Sequence, residues 1–93
     1  MDELSGLQQQ SQQNLTEFLR TELSLAFTML EMAGTTRNEP HRVELIAKVK
    51  TVIRTVRHFE GKITDREIWR DIHARTDQLE GSLSRSPLNR LAE

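Results

Sequence analysis

The residues in this chain that could do chemistry are few and scattered. His41, His58 and His73 stand in three different local settings, and none is expected to pair with another His or a carboxylate at the same-face spacing of a helical ligand motif such as His-Glu-x-x-His. His58 and His73 read as solvated or hydrogen-bonded surface groups, and no metal is expected. Cysteine is absent, which removes disulfides, thiolate zinc sites, iron–sulfur clusters and thiol nucleophiles together. Serines gather toward the two ends, and Ser24 falls on the polar face of its predicted helix. There is no Gly-x-Ser-x-Gly turn, no glycine-rich phosphate loop and no carboxylate pair in a recognisable catalytic setting. A phosphorelay histidine would be followed by a lysine and, one turn on, a glycine, but His41 is followed by Arg42 and Val43. The expectation is a chain that is not an enzyme, with no cofactor and no small-molecule substrate.

Charge offers a second kind of chemistry. Lys50, Arg54 and Arg57 recur at i, i+4 and i+7, a basic stripe along one side of a helix that could contact phosphates. Against this, the formal net charge is −1 and the pI is near 6.3, and neither interleaved aromatics nor a recognition helix accompanies the stripe. Pairing with Glu17, Glu22 and Glu31, or plain solvation, is the preferred reading; weak anion or nucleic-acid binding is the alternative. Glu22 lies near the middle of an apolar arc. A buried carboxylate without a partner is costly, so an ion pair with Arg54 or Arg57 is expected there.

The elements that must position these groups are helical. From Val43 to Phe59, Leu45, Val49, Val52, Val56 and Phe59 recur at alternating spacings of four and three, the seam of an amphipathic helix. A strand would place Val52, Arg54, Val56 and His58 on one face and mix apolar with charged. The β-branched residues lower helix propensity by a few tenths of a kcal/mol each, roughly. Tertiary packing must therefore hold this helix, which makes it the expected centre of the fold.

At 93 residues, with hydrophobic content of 35% and four aromatics (Phe18, Phe27, Phe59, Trp69), the chain suits one small helical domain with an aliphatic core. No apolar run approaches the roughly 20 residues of a membrane span. Met1 to Gln13 has neither the basic start nor the apolar stretch of a signal peptide, so a cytoplasmic chain without membrane contact is expected. From Met1 to Glu39, six acidic residues face two basic ones, and from Pro40 to Lys62, six basic residues face two acidic ones. Such complementarity favours antiparallel docking of the first two helices.

Residues 1–13 are glutamine-rich and polar, and read as a flexible or frayed helical lead-in. Asn14 offers an N-cap, with Glu17 completing a capping box, for a first helix from about Leu15 to Ala33. On a wheel of 100° per residue its apolar side chains span an arc of roughly 220°. One neighbouring helix cannot cover that. Either both other helices flank it, or Phe18, Leu25, Met29 and Met32 meet another subunit or a partner. Gly34 is expected to end this helix in the left-handed region, Asn38 to cap the second with Pro40 in its first turn, and Gly61 to close the second as Gly34 closes the first. Thr64 to Glu67 reads as a capping box, flanked by Ile63 and Ile68 as a hydrophobic staple. The third helix carries a narrow stripe of Ile68, Ile72, Leu79 and Leu83, with Trp69, His73 and Thr76 beside it, and ends near Gly81 to Leu83. Residues 14–83 thus form the domain, and residues 84–93 a flexible tail.

The segments Leu25 to Met32, Thr35 to Pro40 and Val56 to Phe59 carry a resemblance. In them the chain is similar to a loose group of short bacterial helical-hairpin proteins, in which an apolar first helix ends in a Thr-Thr-Arg-Asn-type turn and a second helix in Val-x-x-Phe. The resemblance covers about half the chain and implies no known activity. The expected fold is an all-α three-helix bundle built on an antiparallel helical hairpin. The expected role is a small helical interaction or scaffold protein, a homodimer or a partner of another helical protein, with Phe18, Leu25, Met29, Met32 and Trp69 as the interface.

Overall fold

The computed structural model describes residues 2–85, and the side chains of residue 6 and residues 9–85. These residues form three helices, α1 (Asp2–Thr35), α2 (Glu39–Glu60) and α3 (Arg66–Arg85), with no strand among them. Helices α1 and α2 make an antiparallel hairpin, and α3 packs against both. The all-α three-helix bundle is the observed architecture.

The core is aliphatic. Leu19, Leu23, Ala26 and Ala33 of α1 meet Leu45, Ile46, Val49, Val52, Ile53 and Val56 of α2, and Ile63, Ile72, Leu79 and Leu83 close it from the third side. Phe27, Phe59, Ile68 and Trp69 are half-buried against this cluster. Thr76, the one fully buried polar side chain among the described residues, turns its hydroxyl back to the Ile72 carbonyl at 2.7 Å. The acidic–basic contrast of the hairpin has no direct expression: among the described residues no ion pair joins α1 to α2, and apolar burial docks them instead.

Helix α1 starts at Asp2, not at Leu15, so the expected lead-in is helical and Asn14 lies inside the helix rather than capping it. Glutamine is a good helix former, and a helix already packed over its later turns propagates at small cost. Gln12 ties this part of the helix to the bundle. Its amide donates to the Lys62 carbonyl at 3.0 Å, and its oxygen accepts from the Thr64 amide at 3.0 Å and the Thr64 hydroxyl at 3.2 Å. The α2–α3 turn is thereby tied to α1, and the turns of α1 before Gln12 extend past it.

The helix ends also differ in detail. No glycine among the described residues has positive φ: Gly34 lies within α1, and Gly61 is right-handed at φ −65°. Instead of glycine, Arg42 closes α1. Its guanidinium donates to the carbonyls of Ala33 and Thr36 and pairs with Glu39, setting a positive charge at the negative end of a helix with no basic residue in its own last turn. Asn38 caps α2 as expected, accepting from the His41 amide at 3.0 Å. Asp65, not Thr64, caps α3, accepting from the amides of Glu67 at 2.9 Å and Ile68 at 3.1 Å. Ser84 and Arg85 continue α3 beyond the expected start of the tail, and residues 86–93 lie outside the described residues.

Two substitutions test these ends by urea denaturation. Asp65→Ala should lower the unfolding free energy by about 1 kcal/mol. Arg42→Ala should lower it by about 1–2 kcal/mol, since it frees two carbonyls at once.

Candidate functional site

The broad apolar arc of α1 resolves into two rows. The inner row is Thr16, Leu19, Leu23, Ala26, Leu30 and Ala33; all are buried except the half-buried Leu30. The outer row is Leu15, Phe18, Glu22, Leu25, Met29 and Met32, one residue earlier at each step and therefore turned by about 100° around the helix. Helix α3 lies on the other side of the inner row: Arg20 meets Asp71 at 3.7 Å, and the Arg75 guanidinium lies 6.0 Å from the Phe27 ring centre. The outer row has only α2 beside it, where Phe18 and Phe59 meet edge to face at 6.4 Å. Phe18, Leu25 and Met32, seven residues apart, remain 45%, 50% and 44% exposed. Leu15, Glu22 and Met29 between them are half-buried.

Trp69 is not part of this row. It sits on α3, half-buried, with its ring stacked on His73 at 4.5 Å and an interplanar angle of 11°. The five residues expected to share one interface thus separate into four on α1 and one on α3. The exposed Val43 belongs to neither, because it lies in line with Lys50 and Arg57 on α2.

Glu22 makes no ion pair among the described residues. Arg54 bonds the Thr51 hydroxyl at 3.3 Å, and Arg57 turns away toward α3. Half-exposed on the outer row, Glu22 keeps enough water to stay solvated, which removes the need for a buried partner.

Arg57 is the centre of a polar cluster between α2 and α3. It contacts Asp77 at 2.6 Å, Glu80 at 3.5 Å and Glu60 at 3.7 Å, and its Nη1 lies 3.2 Å from His73 Nδ1. These acids, not Glu17, Glu22 or Glu31, are its partners. Burial works against the charged guanidinium, but the Asp77 hydrogen bond and the charges of Asp77, Glu60 and Glu80 outweigh it and raise the Arg57 pKa further. The same hydrogen bond, with the charges of His73 and Arg57, holds Asp77 below the usual aspartate range against the opposing effect of desolvation. His73 Nδ1 also lies 3.1 Å from Glu60 Oε1, and Nε2 lies 3.6 Å from Asp77. Its two Nδ1 neighbours ask for opposite states of one atom, a lone pair for the guanidinium and an N–H for the carboxylate. Sequence reasoning missed this cluster, although His73 and Asp77 stand four apart on α3 and so share a face.

The arrangement places a guanidinium where three acids and a histidine converge, and no metal-binding group of three acids or histidines occurs among the described residues. The basic stripe is correspondingly shortened. Arg57 is engaged, Lys50 is half-buried, and Arg54 alone of the three is exposed. An open cleft between α1 and the start of α3 is lined by Gln9, Gln13, Glu17, Arg20, Thr64 and Asp65, polar groups without a catalytic pairing. No helix among the described residues is long and apolar enough to cross a membrane. Comparison with known proteins finds no matching family model, no similar curated protein and no similar solved structure.

The pH dependence of stability follows from Asp77. Its folded pKa is depressed, so its stabilisation is present above the unfolded-chain value of about 3.9 and is lost as pH falls through the folded value. Wild type and Asp77→Asn should differ in denaturant midpoint at neutral pH and converge in strong acid. Equal midpoints at neutral pH would show that the Arg57–Asp77 contact adds nothing.

Proposed function

We propose that this chain is a small intracellular helical interaction protein that acts without catalysis and self-associates through the outer row of α1. One observation carries the reading: Phe18, Leu25 and Met32 stay exposed at seven-residue intervals in a row that Leu15 and Met29 continue and only Glu22 interrupts. Scattered exposed apolar residues are ordinary on a protein surface, whereas a continuous row at coiled-coil spacing is the shape that a partner helix covers. The flexible thioethers of Met29 and Met32 suit such a contact, because they adapt to the side chains they meet. The anion-binding alternative has a weaker basis, since it rests on Arg54 with a half-buried Lys50 once Arg57 is engaged by Asp77 and Glu80.

Light scattering coupled to size exclusion, over a concentration series, tests the reading. A dimer mass that persists on dilution is expected. Leu25→Lys should reduce it to a monomer with unchanged helical circular dichroism, since Leu25 is half-exposed and outside the core. A monomer at every concentration would end the self-association reading.

A further inference from the structure

The outer row fits a second copy of itself in one direction better than the other. Its spacings, from Leu15 through Phe18, Glu22, Leu25 and Met29 to Met32, run three, four, three, four, three, and read the same from either end. Reversed on itself, the row sets each position of one kind against one of the other, as antiparallel helices pack their seams. Such a contact is self-complementary about a twofold axis and closes at two copies.

Charge decides between the two directions. Side by side in register, a parallel pair would set Glu22 against Glu22 of the second copy. The Phe18–Phe59 contact fixes the hairpin register: eleven residues on along α1 and eleven back along α2, Met29 lies beside Lys48. Lys48 is exposed there, paired only with Glu44 on its own helix at 3.2 Å. In the antiparallel arrangement Met29 faces Phe18 of the second copy, so Lys48 comes within about a turn of that copy's Glu22. Opposite charges then approach across the contact, and the two Glu22 carboxylates, which flank the axis, are offset by about three residues along the row instead of standing in register. The free edge of the row is lined by Asn14, Thr21, Thr28 and Thr35, all exposed and uncharged, so it opposes neither direction. The antiparallel pairing also sets the two α1 dipoles against each other.

We infer that the outer row of α1 docks antiparallel on the same row of a second copy, Leu15 against Met32 and Phe18 against Met29, about a twofold axis beside Glu22 and Leu25. This rests on the self-association reading and gives it a direction and register. Glu22 is then the half-buried polar position within an apolar seam, and Lys48 of the facing copy is its partner. A single polar seam position of this kind selects register at some cost in affinity.

The chain has no cysteine, so introduced thiols report without background. Thr21 and Thr28 lie on the free edge, outside both rows, and replacing either leaves the core and the seam intact. In the antiparallel pair Thr21 of one copy faces Thr28 of the other. A mixture of Thr21→Cys and Thr28→Cys chains, treated with a short bismaleimide, should give several-fold more linked dimer than either variant alone. Met32→Cys alone should link poorly, because Met32 faces Leu15. If the chain is a dimer by scattering and Met32→Cys alone links best, the pair is parallel and the inference is overturned. A dimer that links in neither experiment places the interface elsewhere and overturns it equally. A monomer by scattering removes the self-association reading itself, and the inference with it.

Discussion

Everything in this fold depends on burying one row of α1 under two helices at once. Leu19, Leu23, Ala26 and Ala33 have no solvent exposure. Helix α2, rich in valine and threonine, gains little from its own propensity and stays helical because Leu45, Val49, Val52 and Val56 are held in that seam. Thr51 and Thr55 turn their hydroxyls back to carbonyls one turn earlier, at 3.1 and 3.0 Å, so the side chains least suited to a helix satisfy themselves on its exposed side. Helix α3 adds a narrow stripe from the third direction. A small aliphatic core shared among three helices leaves little redundancy, and each helix needs the other two.

Apolar burial joins α1 to α2, and this leaves the polar groups to work at ends and edges. Arg42 stops α1, Asn38 and Asp65 start α2 and α3, and Gln12 fastens the α2–α3 turn to α1. Arg57 binds α2 to α3 through Asp77 and Glu80, partly exposed to water, so the contact sets orientation more than it supplies stability. These are long-range contacts in sequence made by side chains of ordinary type.

That distinction explains what could be read from the residues alone. Three helices and an antiparallel hairpin were legible because hydrophobic period and the Asn38–Pro40 start are local signals. The outer row of α1 was legible as part of an oversized arc for the same reason. Periodicity says nothing, however, about which side of the hairpin α3 takes, so Trp69, expected beside the α1 row, lies on another face. Nor does it say what stands opposite a stripe of cations: the acids that Arg57 meets are Asp77 and Glu80 of α3 and Glu60 of its own helix, and none is on α1. The shift of the α3 cap from Thr64 to Asp65 has a similar origin, since Gln12, far away in sequence, occupies the Thr64 amide and hydroxyl. The glycines misled because a helix can also be closed by an arginine from its neighbour.

The length of α1 has a hydrodynamic consequence. Its 34 residues give an axis of about 51 Å at 1.5 Å per residue, close to the longest dimension of the described residues, 56 Å, against widths of 19 and 17 Å. A particle roughly three times as long as it is wide tumbles and diffuses more slowly than a sphere of equal mass. A single copy will therefore elute early and sediment slowly, with a frictional coefficient that imitates a heavier species, and side-by-side pairing of two such rods would make the particle thicker and comparatively less anisotropic.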